Sequence, residues 1–389
     1  MHPGSNARLR LLFVLGTRPE AIKLAPIILE ARARPSLFSC NVVNTGQHQE
    51  MSLTALAAFG IRPDVDLEIM NANQTPNEVL ARILNRLPTV VATTNPHLVL
   101  VQGDTSTALG AALCAHNFKI PVAHVEAGLR TGQRYAPFPE EMNRRLISEL
   151  ASYHFAPTKH AREHLLQQGI SDSSIVVTGN PVVDALYYLR DVASPPAQWP
   201  AKGLVGRMLL ITCHRRESHG IGIRAICTAL RDIVAQCSDV HALLPVHPNP
   251  NVSADVFELL QNNPRIFLIP PVDYPQLVWL LQRATLVLTD SGGIQEEAPA
   301  FGKPVLVLRD VTERPEGIEA GVARLVGTDR QNIVEAALQL LEDSDAYAAM
   351  SKAVNPYGDG HAAERILDFV TQQVHLLSSM HVASVGMGL

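Results

Sequence analysis

Short apolar strands that end in polar, glycine-containing turns recur along this chain, and this feature limits its possible folds most strongly. Residues 98–101 (LVLV) run into the turn QGDT, and residues 122–125 (VAHV) run into EAG. A helical stretch follows, as in parallel sheets whose strands are covered by helices on both faces. The carboxyl ends of such strands meet at one edge, where ligands bind. The pattern predicts a doubly wound α/β sheet with its site along that edge.

The same alternation returns in the second half of the chain. Residues 191–206 are rich in Pro and Ala and have little periodicity, which predicts a linker. Strands are predicted after it at 207–213, 242–244 and 266–268. We therefore expect two similar α/β domains that face each other across a cleft. The predicted segments are an N-terminal domain at 1–190, a C-terminal domain at 191–360, a final helix at 361–377 and a mobile tail at 378–389.

Residues 285–321 contain a complete strand, tight turn, helix and second strand. The turn includes Ser291, Gly292 and Gly293, and the helix is predicted at 293–301. Glycine allows a ligand to approach the backbone closely, and the first amides of a helix bind anions, so this turn predicts a phosphate site. Glu296 or Glu297 would repel phosphate and more plausibly accepts hydrogen bonds from sugar hydroxyls. The alternative is a glycine-rich turn with ordinary acidic helix capping.

The first domain places three carboxylates at its turns: Asp104, Glu126 and Glu140. Two cations, Arg18 and Lys23, lie at the entry of the first predicted helix. Carboxylates gathered in a cleft can have their pKa values pushed apart, which leaves one as a base and another as an acid. Nearby cations would stabilise charge on a leaving group. A nucleotide sugar fits these groups; the alternative is that they are helix caps and structural ion pairs.

Composition excludes several classes of function. The chain has 389 residues and a net charge of -5, which argues against nucleic acid or an anionic membrane as its main partner. Its five cysteines are scattered, without a C-x-x-C pair, so neither a disulfide framework nor a zinc site is predicted, and a cytoplasmic location is expected. No apolar run approaches the roughly 20 residues of a membrane span.

A set of motifs carries a resemblance to a known family. The motifs are GTRPEAIKLAP, QGDTSTAL, HVEAGLRTG, PFPEEMNRR, HRRES, PVHPNP, TDSGGIQEE, TERPEGIEAG and NPYGDGHAAERI. Together they resemble the non-hydrolysing UDP-N-acetylglucosamine 2-epimerases over residues 11–369, in the order and spacing of that family. Each motif alone is weak, but the set is highly specific.

The resemblance implies a fold and a reaction. The fold would be glycosyltransferase-B-like, with two Rossmann-like domains, the active site between them and a C-terminal helix that crosses back to the first domain. The reaction would interconvert UDP-GlcNAc and UDP-ManNAc by elimination of UDP to 2-acetamidoglucal and re-addition, with no cofactor and no metal. We also expect a homodimer that serves cell-surface polysaccharide biosynthesis.

The resemblance also implies roles for individual residues. The residues that match the catalytic positions are Asp104, Glu126, Glu140 and His214. The residues that match the substrate-binding positions are Arg18, Lys23, Arg215, Ser291, Gly292, Gly293, Glu297 and Arg314. Among these, Glu297 matches the ribose contact, and the partner of Arg314 is not evident from sequence. Sequence also leaves open which carboxylate removes the C2 proton.

The chain departs from the family pattern at one place. Many bacterial members bind a second UDP-GlcNAc as an activator, and this chain keeps three of the residues involved, Gln47, His48 and His247. Glu50 stands where a glutamine is expected, and Asn73 stands where an arginine is expected. The loss of a cation and the gain of a carboxylate predict that the activator site is weakened or absent.

Three alternatives to this activity stay open at the level of sequence. An epimerase with the same mechanism could act on a modified sugar, such as a UDP-diacetamido-uronic acid. A glycosyltransferase of the same fold would transfer the sugar to an acceptor. A sensor would bind the nucleotide sugar without turnover.

Overall fold

The computed structural model describes residues 8–200, 206–213, 220–247 and 249–373. Contacts divide the described chain into two compact units. The first contains the chain up to Ala185 and again from Gly358, and the second is Leu186–Tyr357. The tail predicted at 378–389 lies outside the described residues, as do His214 and Arg215.

The first unit contains a parallel sheet of seven strands in the order β3-β2-β1-β4-β5-β6-β7. Chain order reverses between β1 and β4, which is the switch point where doubly wound sheets bind ligands. The strands are β1 (Leu9–Leu15), β2 (Phe38–Asn44), β3 (Val65–Asp66), β4 (Leu98–Gln102), β5 (Val122–Val125), β6 (Tyr153–Ala156) and β7 (Ile175–Val177). The central strand β4 is buried along its whole length, as expected for a strand with helices on both faces.

The helices of this unit follow the strands in alternation. They are α1 (Arg18–Ala33), α2 (Gln49–Ala58), α3 (Pro76–Thr94), α4 (Ser106–Asn117), α5 (Glu140–Leu150), α6 (Lys159–Gln167) and α7 (Pro181–Leu189), which runs into the second unit. Thr75, Thr105 and Thr158 cap α3, α4 and α6 by accepting a hydrogen bond from a first-turn amide. The threonine of the QGDT turn noted in the sequence therefore caps the helix that follows it.

The second unit repeats this architecture with six parallel strands in the order β10-β9-β8-β11-β12-β13. The strands are β8 (Arg207–Thr212), β9 (Val240–Pro245), β10 (Ile266–Ile269), β11 (Leu286–Thr289), β12 (Val305–Val307) and β13 (Ala323–Leu325). The helices are α8 (Ile221–Gln236), α9 (Pro250–Leu260), α10 (Tyr274–Arg283), α11 (Gly292–Glu297), α12 (Pro315–Glu319), α13 (Arg330–Glu342) and α14 (Ser344–Ser351). Its switch point lies between β8 and β11.

The last described helix, α15 (Ala362–Gln372), belongs to the first unit. Asp184 accepts hydrogen bonds from the amides of Ala362 and Ala363 at 3.2 and 2.9 Å, which satisfies the start of this helix. Phe369 packs edge-on against Tyr153 at 5.4 Å between ring centroids. The chain therefore returns to complete the first unit after finishing the second.

Two details differ from the sequence prediction. The helix predicted at 293–301 is two elements, because α11 ends at Glu297 and a 3₁₀ turn continues over Ala298–Phe301. Pro299 lacks the amide hydrogen that an α-helix would need there. The short strands β3 and β13 were missed, because both lie at sheet edges and have little apolar pattern. In the described ranges, no helix is long and apolar enough to cross a membrane.

Candidate active site

Two of the predicted carboxylates lie at the carboxyl edge of the first sheet. Asp104 follows β4 and Glu126 follows β5, and these strands are parallel neighbours. Glu126 has a left-handed backbone with a φ of 63°. A non-glycine residue pays roughly 1–3 kcal/mol for this conformation, and such strain collects at functional sites. The strained backbone of this turn therefore sets the direction of the Glu126 side chain.

The Glu126 carboxylate is buried and held by two donors. Its Oε2 accepts a hydrogen bond from Lys23 Nζ at 2.5 Å and another from Gln102 Nε2 at 2.8 Å. Lys23, which sequence presented as a cation for substrate, is itself buried on α1. The Lys23 ammonium thus compensates the charge of Glu126 and fixes the direction of its carboxylate. The sequence analysis did not anticipate Gln102, although it is the last residue of β4 and opens the QGDT turn.

Helix α5 holds the turn of Asp104. Arg144 donates from Nε and Nη2 to Asp104 Oδ2 at 3.0 and 2.5 Å, and Asn143 Nδ2 donates to the Asp104 carbonyl at 2.8 Å. The Arg144 side chain is 9% exposed and that of Asp104 is 25% exposed. An ion pair of this kind fixes the Asp104 carboxylate while leaving part of it open to a ligand. Sequence reasoning missed both α5 residues, although they lie in the quoted motif PFPEEMNRR.

Glu140 begins the same helix, so α5 brings it close to Asp104. Burial is the main cause that raises the pKa of Glu140, and the negative charge of Asp104 adds to it. Its neighbour Glu141 is fully buried and differs in character: it accepts from the Thr131 amide at 3.0 Å and from Arg145 Nε at 3.1 Å. Glu140 is therefore the member of the pair suited to hold a proton, and Glu141 is structural.

Arg18 is the first residue of α1 and directly follows the turn after β1. Its side chain is exposed, and within the described ranges it forms neither an ion pair nor a side-chain hydrogen bond. Because β1 and β4 are parallel neighbours, the turns that follow them, which carry Arg18 and Asp104, lie side by side. Arg18 is thus available to an anionic ligand, in contrast to Lys23.

The second unit builds its turn between β11 and α11. The Ser291 amide donates to Thr289 Oγ1 at 3.0 Å, and Ser291 is the N-cap of α11. A Cβ at Gly292 would lie 3.3 Å from the Arg314 guanidinium carbon, so this side chain lies directly against the Gly292 backbone. Gly293 is the next residue, and its Cβ position is 3.9 Å from Glu297 Oε1. The turn thus exposes backbone to a cation on one side and to a carboxylate on the other.

The structure supplies the partner of Arg314 that sequence could not. Arg314 Nε donates to Glu296 Oε1 at 2.8 Å, and its Nη1 lies 3.4 Å from Glu313 Oε2. Both acids of α11 are buried, but they have different neighbours. Glu296 orients Arg314, whereas Glu297 lies beside the glycine turn.

Two predicted residues, His214 and Arg215, lie outside the described ranges, so their placement is not part of this geometry. Within those ranges, no group of three or more His, Cys, Asp or Glu side chains could hold a metal ion. The candidate residues thus form two groups, one in each unit. The first unit holds Arg18, Lys23, Asp104, Glu126 and Glu140, and the second holds Ser291, Gly292, Gly293, Glu297 and Arg314.

The chain is similar to known proteins over most of its length. The family model for UDP-N-acetylglucosamine 2-epimerase matches residues 30–371. The chain is 50% identical to the UDP-N-acetylglucosamine 2-epimerase of Escherichia coli K12 over 368 residues, which cover 92% of this chain and 98% of that protein.

Solved structures of other proteins share the fold of this chain. The UDP-GlcNAc 2-epimerase of Neisseria meningitidis, crystallised with UDP-GlcNAc, is 42% identical with a TM-score of 0.84, over 94% of this chain and 100% of that one. The glycosyltransferase of kitacinnamycin is 14% identical with a TM-score of 0.64, over 94% and 99% of the two chains, and shares the fold alone. The fold is therefore glycosyltransferase-B-like, with two doubly wound units. By the extent of the family match and the identity to the Escherichia coli enzyme, the chain belongs to the UDP-N-acetylglucosamine 2-epimerase family, whose members are isomerases.

Proposed function

We propose that this enzyme interconverts UDP-GlcNAc and UDP-ManNAc by eliminating UDP and adding it back. The family match supports the epimerase activity, and the Neisseria meningitidis relative bound to UDP-GlcNAc supports a UDP-sugar substrate. The residues that bear on the mechanism are those of the first unit, where three carboxylates lie in three different environments.

The proposed reaction has two halves. In the first, a base removes the proton from C2, the C1–O bond breaks, and UDP leaves with the electron pair, so that a C1–C2 double bond remains. In the second, a proton is delivered to the opposite face of C2 and the UDP oxygen attacks C1. The sugar undergoes no net oxidation or reduction, so the chemistry calls for no redox cofactor.

The contrast between Glu140 and Asp104 is the observation that carries this assignment. The pKa of Glu140 is raised, chiefly by burial. Asp104, in contrast, is paired with Arg144, which lies on the same helix as Glu140. Two carboxyl groups in unlike environments can serve as acid and base at one pH. We assign Glu140 as the proton donor and the two ion-paired carboxylates, Asp104 and Glu126, as the groups that accept a proton or position the sugar.

The turn at Ser291, Gly292 and Gly293 is proposed to bind the diphosphate. Arg314 lies against Gly292 and supplies a cation there, and Glu297 is the proposed ribose contact. His214 and Arg215, which match catalytic and binding positions of the family, are proposed to act on the departing diphosphate. Arg18 is proposed to contact the substrate from the first unit, since its side chain is exposed beside the turn of Asp104.

Incubation of the pure protein with UDP-GlcNAc alone in heavy water, followed by NMR, tests the proposal. Deuterium should appear at C2 of both UDP-GlcNAc and UDP-ManNAc, because the second proton comes from solvent. Conversion without deuterium would overturn the elimination route. Consumption of sugar only after an acceptor is added would indicate a glycosyltransferase, and binding without turnover would indicate a sensor.

Two variants test the residues. Asp104→Asn and Glu126→Gln should each lose at least about 100-fold in kcat, the usual worth of a positioned acid or base. Glu163→Gln, an exposed acid on α6, is the control and should keep the wild-type rate. Near-normal rates in both site variants would make these carboxylates structural.

We further propose a cytoplasmic homodimer that serves cell-surface polysaccharide biosynthesis. All five cysteines are free thiols and four of them are buried, which supports a reducing compartment. Light scattering of the pure protein measures the oligomeric state, and a monomer mass would overturn the dimer.

A further inference from the structure

Glu20 is a fully buried carboxyl group that the proposed reaction does not use. Its Oε2 accepts three hydrogen bonds at the start of α1: from the Gly16 amide at 3.0 Å, the Thr17 amide at 2.8 Å and Thr17 Oγ1 at 2.9 Å. Its Oε1 accepts a fourth from Thr105 Oγ1 at 2.5 Å. Thr105 is 85 residues away in sequence and caps another helix, so Glu20 joins the starts of α1 and α4.

Helix α3 begins with the same capping pattern as α1, but in the described part of the chain its glutamate has no hydrogen bond to a second helix. In α3, Thr75 and Glu78 form a capping box like that of Thr17 and Glu20. Glu78 is exposed, and its Oε2 alone accepts hydrogen bonds from the amide and the hydroxyl of Thr75. A capping box therefore needs only one carboxylate oxygen. The burial of Glu20 and the contact of its second oxygen with Thr105 are additional features.

The two turns that Glu20 joins carry residues of the candidate site. Arg18 directly follows Thr17, and Asp104 directly precedes Thr105. The turn before Arg18 is also tightly packed, since a Cβ at Gly16 would lie 2.0 Å from Thr45 Oγ1 and 2.6 Å from Thr107 Oγ1. A shift of either turn would therefore displace the other.

We propose that Glu20 is a positioning residue that holds the turn of Arg18 against the turn of Asp104, so that the two side chains meet the substrate in a fixed relation. The expected fall in kcat rests on the proposed epimerase reaction, whereas the link between the two turns does not depend on it. Two adjacent strands, β1 and β4, bring the turns together, and the four hydrogen bonds to one carboxyl group lock them.

Glu20→Gln is the first variant, with Glu78→Gln as its matched control. Glutamine keeps the shape and one acceptor oxygen but cannot accept from both turns in the same way. We expect kcat to fall by as much as about 100-fold, the loss known for reacting groups misplaced by about 1 Å, with a smaller change in KM. Glu78→Gln should leave both constants unchanged. Wild-type kcat in Glu20→Gln would overturn the proposal.

Thr105 provides an independent variant if Glu20→Gln fails to fold. Thr105→Val removes the donor to Glu20 and should lower kcat in the same way, whereas Thr105→Ser keeps a hydroxyl and should restore it. Thr158→Val removes the cap of α6 in the same unit and reports the effect of a lost cap alone. The double variant Glu20→Gln/Thr105→Val should be no worse than the poorer single one, and additive losses would show that the two residues act separately.

Hydrogen exchange separates this inference from the proposed reaction. In Glu20→Gln, amides in residues 103–108 should exchange about tenfold faster, the factor expected for one lost buried hydrogen bond. Glu78→Gln should show wild-type exchange there. If the wild-type protein fails to epimerise UDP-GlcNAc, the proposed function fails, and exchange alone still decides the role of Glu20. Unchanged exchange at 103–108 in Glu20→Gln would overturn the link between the turns.

Discussion

Lys23 Nζ lies 2.5 Å from Glu126 Oε2, and the two side chains are only 10% and 5% exposed. The pair joins α1 to the turn after β5, and Gln102 adds a neutral donor to the same carboxylate oxygen. Removing one partner of a buried pair leaves an uncompensated charge. The catalytic carboxylate proposed here thus depends on Lys23 for its charge balance as well as for its orientation.

Lys23→Met should therefore destabilise the fold. Breaking a buried ion pair costs about 3–5 kcal/mol in free energy of unfolding, because the carboxylate stays buried without the opposite charge of the lysine. The double variant Lys23→Met/Glu126→Gln should recover part of this loss, since no unpaired charge remains. Urea denaturation at neutral pH measures both values. If Lys23→Met unfolds at the wild-type urea concentration, the pair contributes nothing to stability.

Glu140 should control the alkaline limb of the activity profile. Its raised pKa keeps the carboxyl group protonated to a higher pH than an exposed glutamate, and in the proposed role of proton donor it would lose function on ionising. The rate should fall as the pH rises through the pKa of Glu140. In Glu140→Gln the remaining rate should lack that limb. A profile of log kcat against pH decides this, and an unchanged alkaline limb in the variant would assign it to another group.

Glu20 should make folding stability depend on pH near neutrality. Burial raises the pKa of Glu20 to about 7, and the hydrogen bonds from Thr105, Thr17 and Gly16 offset only part of that rise. A raised carboxyl pKa means that the folded state holds the proton more tightly than the unfolded state does. Its contribution is complete below the unfolded pKa of about 4.5 and is lost as the pH rises through about 7.

Urea unfolding between about pH 5 and pH 8 measures the change in the free energy of unfolding. One group with this pKa shift contributes on the order of 3 kcal/mol to that change. Glu20→Gln cannot titrate at this position and should therefore show a flatter curve of stability against pH than wild type. The control Glu78→Gln should follow the wild-type curve in this window. Parallel curves for Glu20→Gln and wild type would exclude Glu20 as the titrating group.

The enzyme should epimerise UDP-ManNAc without added UDP-GlcNAc, and its rate should depend hyperbolically on substrate. The resemblance of the sequence to its family puts Asn73 where an arginine is expected, so a charge-assisted hydrogen bond to an activator, worth roughly 1.5–3 kcal/mol, would be missing. The nearby Arg82 is a poor substitute, because its Nη1 already donates to Gln74 Oε1 at 3.1 Å and to the Ile69 carbonyl at 3.0 Å.

The assay is turnover of UDP-ManNAc alone, compared with Asn73→Arg as the matched variant. The wild type should react at once, whereas Asn73→Arg should respond more strongly to added UDP-GlcNAc. Silence of the wild type until a trace of UDP-GlcNAc is added would mean that an activator site survives. Loss of that response in Arg82→Gln would then identify Arg82 as the replacement cation.

Sequence alone predicted the two parallel α/β sheets and the turns that carry the polar groups. Strand β5 was predicted at 122–125, the bounds that the structure has, since a strand buried on both faces is encoded by a local apolar run. The short edge strands β3 and β13 were not predictable in this way, because neighbouring strands rather than an apolar run of their own define them.

Tertiary structure decided which side chains meet. Lys23 and Glu126 are 103 residues apart, Arg144 and Asp104 are 40 apart, and Arg314 and Glu296 are 18 apart. No periodicity encodes such pairs, because they depend on strand order and on the rotation of each helix over its sheet. The candidate residues could therefore be named from motifs, but their charge balance and burial, which set their chemistry, follow from packing alone.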